Sequence, residues 1–322
     1  MRTAPIAATW AALQNFYHEL AQELHRRGVS SLTTGGIACV LYDLAQTTKD
    51  CDLIIPVEKT QVVSELLSGL RFQGQGCHLT IKYGAPFDAR WLEGGWSSHA
   101  FFGSAHEPLA RVDFFGRPPR VRKLLSDENP LYLSRDGVAW MKKTRREKDW
   151  AYANLLGYQM LSRGNPQGLM HVTDSKPLIK AAREIQITQA MIQDRPLLKL
   201  AISGSEDLER YLKAEKEFWT RLDDLRLTTY ERAWAPYRQA LLAHPELVNM
   251  DFQEQNQAMI KLAERALDPA PLKTFGWEKL VEQAKAETSR MFQNLDMRLL
   301  PNPIVFLEEG DDAKDPVCSP KP

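Results

Sequence analysis

The sequence has few features that would place it in a membrane, outside the cell or on a polyanion. No apolar run approaches the roughly 18 residues of a membrane span, and the N-terminal segment lacks the uninterrupted apolar core of a signal peptide. The 41 basic residues are balanced by 41 acidic residues, so no global field draws in nucleic acid. The four cysteines show no CxxC or CxxH spacing, which argues against a zinc site or a disulfide framework. These absences predict a cytoplasmic protein with no membrane partner.

What the sequence does contain is enough apolar residues for a core. At 322 residues it exceeds one typical domain, and its 43% hydrophobic and 25% charged fractions are ordinary for a globular protein. A helix is predicted over 10–27 and another over 37–45. Strands are predicted at 29–33, 51–57, 78–83, 87–91, 99–102 and 110–115. Later segments are all helical, at 138–162, 176–193, 207–225, 229–243, 252–267 and 277–299.

The predicted fold class is therefore α+β, a mixed sheet with flanking helices followed by an all-helical C-terminal domain. Glycines and a proline at 164–168 mark the predicted boundary. The first domain covers 1–163, with a basic helix at 138–163, and the helical domain covers 169–300. The acidic segment 308–322 is predicted to be a disordered tail. Aromatic residues at near-helical spacing in the helical half are predicted to lie in its core: Phe218, Trp219, Tyr230, Trp234 and Tyr237.

One segment points to a chemical function. Gly35 and Gly36 precede a predicted helix, and Asp50 and Asp52 follow after thirteen intervening residues, at the start of a predicted strand. Side chains two apart on a strand project from the same face, so both carboxylates can bind the same ions. Bare backbone N–H groups and the positive end of a helix dipole favour a triphosphate at the glycine pair. A site with both parts can bind a nucleotide and activate it.

A third acid stands on another predicted strand. Asp113 lies among apolar neighbours, where a lone carboxylate is unusual. Nucleotidyl transfer uses two Mg²⁺ (or Mn²⁺) ions about 4 Å apart, one at the attacking hydroxyl and one at the triphosphate. Asp50 and Asp52 fit the pair of ligands that bridges both ions, and Asp113 fits the third ligand. These three residues are the predicted catalytic and metal-binding set.

Each feature has a simpler explanation when taken alone. A DxD at a strand start is common in loops, and a Gly-Gly pair is more often a simple turn than a phosphate cradle. Asp113 could be a core carboxylate that the backbone or Arg111 satisfies. Their combination, in the order strand, turn, helix and strand, is more specific than any part and favours the functional interpretation.

The same residues resemble a known signature. The segments 34–38 (TGGIA), 41–42 (LY) and 49–54 (KDCDLI) are similar to the GG-x-A, LY and T-x-D-x-D-L motifs of the polymerase-beta-like nucleotidyltransferase superfamily. The most similar branch is the AbiEii-type toxin nucleotidyltransferases, which carry a further motif of Lys, Arg and Lys-Asp. The matching residues here are Lys142, Arg145, Arg146, Lys148 and Asp149. The resemblance covers about residues 5–163.

That resemblance implies a nucleotidyltransferase fold and an Mg²⁺-dependent transfer of a nucleoside monophosphate from an NTP to a hydroxyl, with release of pyrophosphate. Gly35, Gly36 and the basic motif would then bind the NTP. Lys142, Arg146 and Asp149 share one face of the predicted helix, where the two cations could neutralise the leaving phosphates. The family's toxins modify tRNA ends, so the expected acceptor is RNA, tRNA in particular. A cognate antitoxin is an expected partner, in a toxin–antitoxin or phage-defence system.

Other polar residues allow more than one interpretation. A charge run such as 142–149 is usually a solvated helix face. Residues 116–150 contain ten Lys or Arg against five Asp or Glu, a local net charge of +5, which could hold RNA phosphates or serve the triphosphate alone. The histidines lie at no metal-ligand spacing and are predicted to be surface or core residues: His78, His99, His106, His171 and His244.

Two rival hypotheses remain open. The first is a nucleotidyltransferase that acts on a small molecule or a protein side chain, which acceptor screening would distinguish. The second is a catalytically silent fold that uses its helical half as a binding module. The three acids argue against the silent fold. Clustered carboxylates repel one another unless a metal ion is bound, and a fold without catalytic activity has no chemical need for them.

Overall fold

The computed structural model describes residues 8–104, 106–121 and 123–303, so the predicted tail at 308–322 lies outside the described residues. Six strands fall within these ranges: β1 (Leu32–Thr34), β2 (Cys51–Ile54), β3 (Arg71–Phe72), β4 (Gln75–Leu79), β5 (Ser97–Gly103) and β6 (Pro108–Phe115). The helices up to residue 162 are α1 (Trp10–Arg26), α2 (Gly35–Leu41), α3 (Thr60–Gly69), α4 (Ala89–Glu93), α5 (Arg135–Met141) and α6 (Glu147–Ser162).

All the regular structure that follows α6 in the described chain is helical. The α-helices are α7 (Ser175–Glu184), α8 (Gln189–Asp194), α9 (Leu198–Ser203), α10 (Leu208–Leu242), α11 (Phe252–Ala266), α12 (Pro271–Phe275) and α13 (Trp277–Met291). Short 3₁₀ helices lie at Val57–Lys59, Pro166–Met170, Pro245–Asn249 and Met297–Leu299. None of the described helices is long and apolar enough to cross a membrane.

The strands form one mixed sheet in the order β1-β2-β6-β5-β4-β3. β2 and β6 run parallel, and the other neighbouring strands run antiparallel. A parallel pair cannot be joined by a tight turn, so the chain leaves β2, forms α3 and the outer strands, and returns through β6. The prediction of an α+β protein with a mixed sheet is confirmed.

One face of the sheet packs against the C-terminal helices. Its apolar side chains and those of α10 and α11 form one continuous buried cluster, which includes Phe102, Trp219 and Phe252. Polar side chains reinforce this contact: the Gln255 amide bonds both backbone groups of Leu79, at 2.7 and 2.9 Å. Such bonds satisfy strand groups that have no partner in the ladder. The hydrophobic core thus crosses the predicted boundary at 164–168, which stays a prediction.

The opposite face is covered only in part. Around β1 and β2 it packs against α2, α5 and α6, in a second buried cluster that includes Ile54, Tyr42 and Leu156. Farther along, the residues of β5 alternate between buried and half-exposed. The half-exposed residues of β5 lie on the same face of the sheet as Asp113, because His99 of β5 is the register partner of Asp113 and register partners project to the same side.

Several local predictions were wrong. The segment 87–91 is not a strand, because the Asp88 side chain accepts a hydrogen bond from the Arg90 N–H at 2.9 Å and starts α4. No break occurs at 225–229, where α10 runs on and accommodates Pro236. The helix α3 was not predicted. The predicted core aromatics are buried, except that Trp234 is half-buried.

Candidate active site

Asp52 and Asp113 are neighbours in the sheet. Asp52 in β2 is the register partner of Asp113 in the parallel strand β6, and Thr34 of β1 is its partner on the other side. Register partners project to the same face, and Asp50 stands two residues before Asp52. The structure therefore brings the two acids predicted from separate strands together on one face.

The glycine pair lies directly against these acids. Gly35 has a φ of +59°, a conformation that favours glycine, and a Cβ there would overlap the Asp52 carboxylate. A Cβ at Gly36 would overlap the Thr48 hydroxyl. The helix α2 begins at Gly35 itself, two residues before the predicted start, and ends at Leu41 rather than 45. Glycine is thus required at both positions to let the helix start approach the acids.

The electrostatics of the acid cluster are unfavourable. Burial, followed by the nearby charges of Asp113 and Asp50, raises the pKa of Asp52 from 3.8 to about 7. The Lys142 charge and a hydrogen bond from the Gly36 N–H act in the opposite direction. Like charges collected on one face destabilise the fold unless a cation compensates them. Such a cluster is typical of a functional site.

Two of the acids are also held by neighbouring side chains. The Thr48 hydroxyl donates to Asp50 Oδ1 at 3.0 Å. His99 Nδ1 lies 2.7 Å from Asp113 Oδ1, although the two atoms are not aligned for a hydrogen bond. Within the described chain, no three His, Cys, Asp or Glu side chains are grouped so that they could hold a metal ion. Joint binding by the three acids therefore requires Asp50 or Asp113 to turn from its present contact.

The sequence interpretation missed His99. It lies in β5 as the register partner of Asp113, and its Nε2 is 2.8 Å from the Ser97 hydroxyl. Ser97, His99 and Asp113 thus form a hydroxyl, imidazole and carboxylate series. The alternation of β5 places Ser97 and His99 on one face, but only the register of β5 on β6 places that face beside an acid.

The predicted basic helix at 138–163 is broken at its basic residues. α5 ends at Met141 and α6 starts at Glu147. Between them, the Arg145 N–H donates to Asp223 at 3.1 Å and the Arg146 N–H donates to the Thr144 hydroxyl at 3.1 Å. These side-chain acceptors replace the carbonyls of a continuous helix and so end it.

Lys142 and Arg146 nevertheless converge, through Asp149 rather than along one helical face. Asp149 is fully buried, and its carboxylate lies 2.7 Å from Arg146 Nε and 3.4 Å from Lys142 Nζ. It also accepts a hydrogen bond from the Thr144 hydroxyl at 2.7 Å. Lys142 is close enough to lower the pKa of Asp52. Asp149 therefore holds the two cations together, with Lys142 near Asp52.

The other two residues of the basic motif point elsewhere. The Arg145 side chain pairs with Asp224 of α10 at 3.3 Å. Lys148 is exposed on the first turn of α6. Only Lys142 and Arg146 of the four cations are thus held together at Asp149.

Most other cations of 116–150 also have partners within the protein. Arg120 is buried and pairs with Asp223 at 3.1 Å, and Arg135 pairs with Asp127 at 2.9 Å. Lys143 is buried and donates to the Met170 carbonyl at 2.9 Å. Part of the local net charge of +5 is therefore paired within the protein, whereas Arg145, Arg146 and Lys148 stay exposed. Binding of RNA phosphates by this segment stays a prediction.

Comparison with protein-family models, with curated proteins and with solved structures found no match. Two surface clefts, with volumes of about 440 and 360 Å³, are lined by residues of α7 and by residues around Arg135, away from the three acids. The acid cluster and the residues around it therefore remain the candidate site.

Proposed function

We propose that this protein is a nucleotidyltransferase that moves a nucleoside monophosphate from an NTP to an acceptor hydroxyl and releases pyrophosphate. One observation carries the proposal: Asp52 and Asp113 are register partners on parallel strands, and Gly35 lies against the Asp52 carboxylate. The resemblance of 34–54 to the polymerase-beta-like signature supports the same activity.

The three acids have the chemistry of a divalent-cation site, and a turn of Asp50 or Asp113 from its present contact would let them hold an ion together. Burial, and then the charges of Asp113 and Asp50, raise the pKa of Asp52 to about 7, so a bound cation would stabilise its ionised form. Asp50, Asp52 and Asp113 would hold Mg²⁺ or Mn²⁺, which when bound lowers the pKa of an attacking hydroxyl and stabilises a leaving pyrophosphate. Carboxylates are the ligands that Mg²⁺ prefers.

The remaining residues have roles on the nucleotide and acceptor sides. The backbone at the start of α2, at Gly35 and Gly36, is the proposed contact of the triphosphate. Lys142 and Arg146, held by Asp149, supply positive charge for the departing phosphates. Arg145 and Lys148 stay predicted NTP contacts. The proposed acceptor is RNA, tRNA in particular, and the proposed setting is a cytoplasmic toxin with a cognate antitoxin.

The decisive experiment incubates purified protein with each α-labelled NTP, Mg²⁺ and total tRNA, and then separates labelled RNA, protein and small molecules. We expect label in RNA for the wild type and none for Asp52→Asn. Label in another fraction would identify a small-molecule or protein acceptor. A second measurement does not depend on activity: Mg²⁺ should raise the melting temperature of the wild type but not of Asp52→Asn. If no fraction is labelled and Mg²⁺ does not raise the melting temperature of the wild type, the hypothesis of a catalytically silent binding module would be favoured.

A hydrolase is a second candidate function, favoured by the series of contacts around His99. Ser97 Oγ lies 2.8 Å from His99 Nε2, and His99 Nδ1 lies 2.7 Å from Asp113. In that role the Ser97 hydroxyl would attack the carbonyl carbon of an ester, and His99 would take the hydroxyl proton and pass it to the alcohol that leaves. Water would then release the acid from Ser97. Covalent labelling of the wild type but not of Ser97→Ala by a fluorophosphonate probe would support this candidate, and the absence of labelling would exclude it.

A further inference from the structure

The sheet face that carries the acids continues onto β4, β5 and β6, where its side chains are half-exposed or exposed. Beside the acid row, Phe101 of β5 is the register partner of both Arg111 of β6 and His78 of β4. Arg111 is exposed, and Phe101 and His78 are half-exposed. We call Arg111, Phe101, His78 and the adjacent Tyr83 the open face. It begins one row from Asp113 and leads away from the acids across the sheet.

The open face presents aromatic rings. His78 and Phe101 stack with their ring centroids 5.7 Å apart and their planes at 30°. Tyr83 is 47% exposed and meets the His99 ring edge-on at 4.6 Å. Gly84 permits this arrangement, because a Cβ there would lie 2.5 Å from the His99 ring. Half-exposed rings on a pleated sheet are a surface on which nucleic-acid bases can stack.

The open face also carries positive charge that the protein does not use itself. The Arg111 guanidinium makes no hydrogen bond or ion pair with the described residues. Lys82 is exposed beside Tyr83, and Arg71 is exposed on the same face as Gly76, with its guanidinium bonded to the Ser68 and Leu70 carbonyls. Arg111 therefore offers an acceptor phosphate a cation beside the rings of the open face.

We propose that the open face binds the single-stranded end of an RNA acceptor. Its bases stack on Phe101 and Tyr83, its phosphates meet Arg111, and its terminal hydroxyl is directed toward Asp113. Stacking tolerates any base, so the face selects an unpaired strand over a duplex rather than one sequence over another. That the bound RNA is the acceptor depends on the proposed function, whereas binding of a single strand by the open face does not.

The test is a fluorescence-anisotropy titration, without NTP, of a short, labelled single-stranded RNA of mixed sequence and of the same strand annealed to its complement. We expect Phe101→Ala to weaken binding by about 5-fold to 100-fold, because one stacked base is lost, and Phe101→Trp to retain it. Arg111→Gln should reduce the slope of log affinity against log salt concentration by about 0.7, the contribution of one phosphate contact to a single strand. Two matched controls should leave binding unchanged: Phe275→Ala on α12 and Arg265→Gln on α11, both exposed.

Each outcome separates this inference from the proposed function. Wild-type affinity in Phe101→Ala, or equal binding of a duplex and a single strand, would overturn the open face as a single-strand site. The exposed Arg111 gives a second variant if Phe101→Ala lowers the melting temperature. Binding that depends on the open face without any nucleotide transfer would retain the inference and reject the transferase. Nucleotide transfer to RNA that is unchanged in Phe101→Ala and Arg111→Gln would retain the transferase and reject the open face as the site that binds the acceptor.

Discussion

Replacing Asp52 with asparagine should stabilise the protein at alkaline pH while it abolishes nucleotide transfer. Asp52 is half-buried on the sheet beside Asp113 and Asp50, and burial together with these charges raises its pKa to about 7. Asparagine has nearly the same shape, and its carbonyl oxygen can still accept the hydrogen bond from the Gly36 N–H. The substitution therefore removes the cost of burying the charge, and its repulsion by the other two acids, and changes little else.

The magnitude follows from the pKa of Asp52 in the two states. In the unfolded chain this carboxyl releases its proton near 3.8, and in the folded protein near 7. Between these values the folded state holds a proton that the unfolded state has lost, so stability falls as the pH rises through this window and is constant above it. At about 1.4 kcal/mol per pKa unit the ceiling is about 4 kcal/mol. Because water reaches a half-buried side chain, we expect about 2 kcal/mol.

The assay is urea unfolding of the wild type and Asp52→Asn from pH 4.5 to 8.5, with EDTA to remove divalent ions. The variant should be more stable by about 2 kcal/mol at pH 8, and the difference should shrink toward zero at the acid end of the range. Asp224→Asn is the control, since Asp224 pairs with Arg145 at the surface and should change stability by less than about 0.5 kcal/mol. Equal or lower stability of Asp52→Asn at pH 8 would refute the argument that the Asp52 charge, buried beside two other acids, destabilises the fold.

Three further predictions concern the glycine pair and the buried charges. Gly35→Ala should abolish nucleotide transfer, whereas Gly28→Ala, at a φ of +74° with open space around it, should cost only about 1–2 kcal/mol in urea unfolding and leave transfer intact. Burial lowers the pKa of Lys143 to about 7, so wild-type stability should rise from pH 7 to 10 and this rise should be absent in Lys143→Met. Glu215→Ala should lower the free energy of unfolding by about 3–5 kcal/mol, since it leaves the buried Arg195 charge unpaired, and unchanged denaturation would contradict this.

Much of the local structure is predictable because it depends on neighbouring residues. The amphipathic spacing of α1 and α11 predicts helices within about one residue of their observed ends. The alternation of β6 and the spacing of Asp50 and Asp52 likewise predict strands where strands are found. Where an apolar segment is short, pattern alone is ambiguous: 87–91 has the residues of a strand, yet the Asp88 cap makes it a helix.

Local spacing in the sequence does not predict that the site residues come together, because their proximity depends on contacts between segments that are distant in the chain. Local spacing is enough to place Gly35 next to a helix start and two carboxylates on one strand face. It cannot show that β6 lies parallel to β2 with Asp113 level with Asp52, nor that β5 brings His99 to the same acid. Composition likewise counts the cations of 116–150, whereas tertiary packing decides that Arg120 and Lys143 are buried and that Arg111 is left exposed. Side-chain charge is a property of one residue, but its availability to a ligand is set by whatever the fold packs against it.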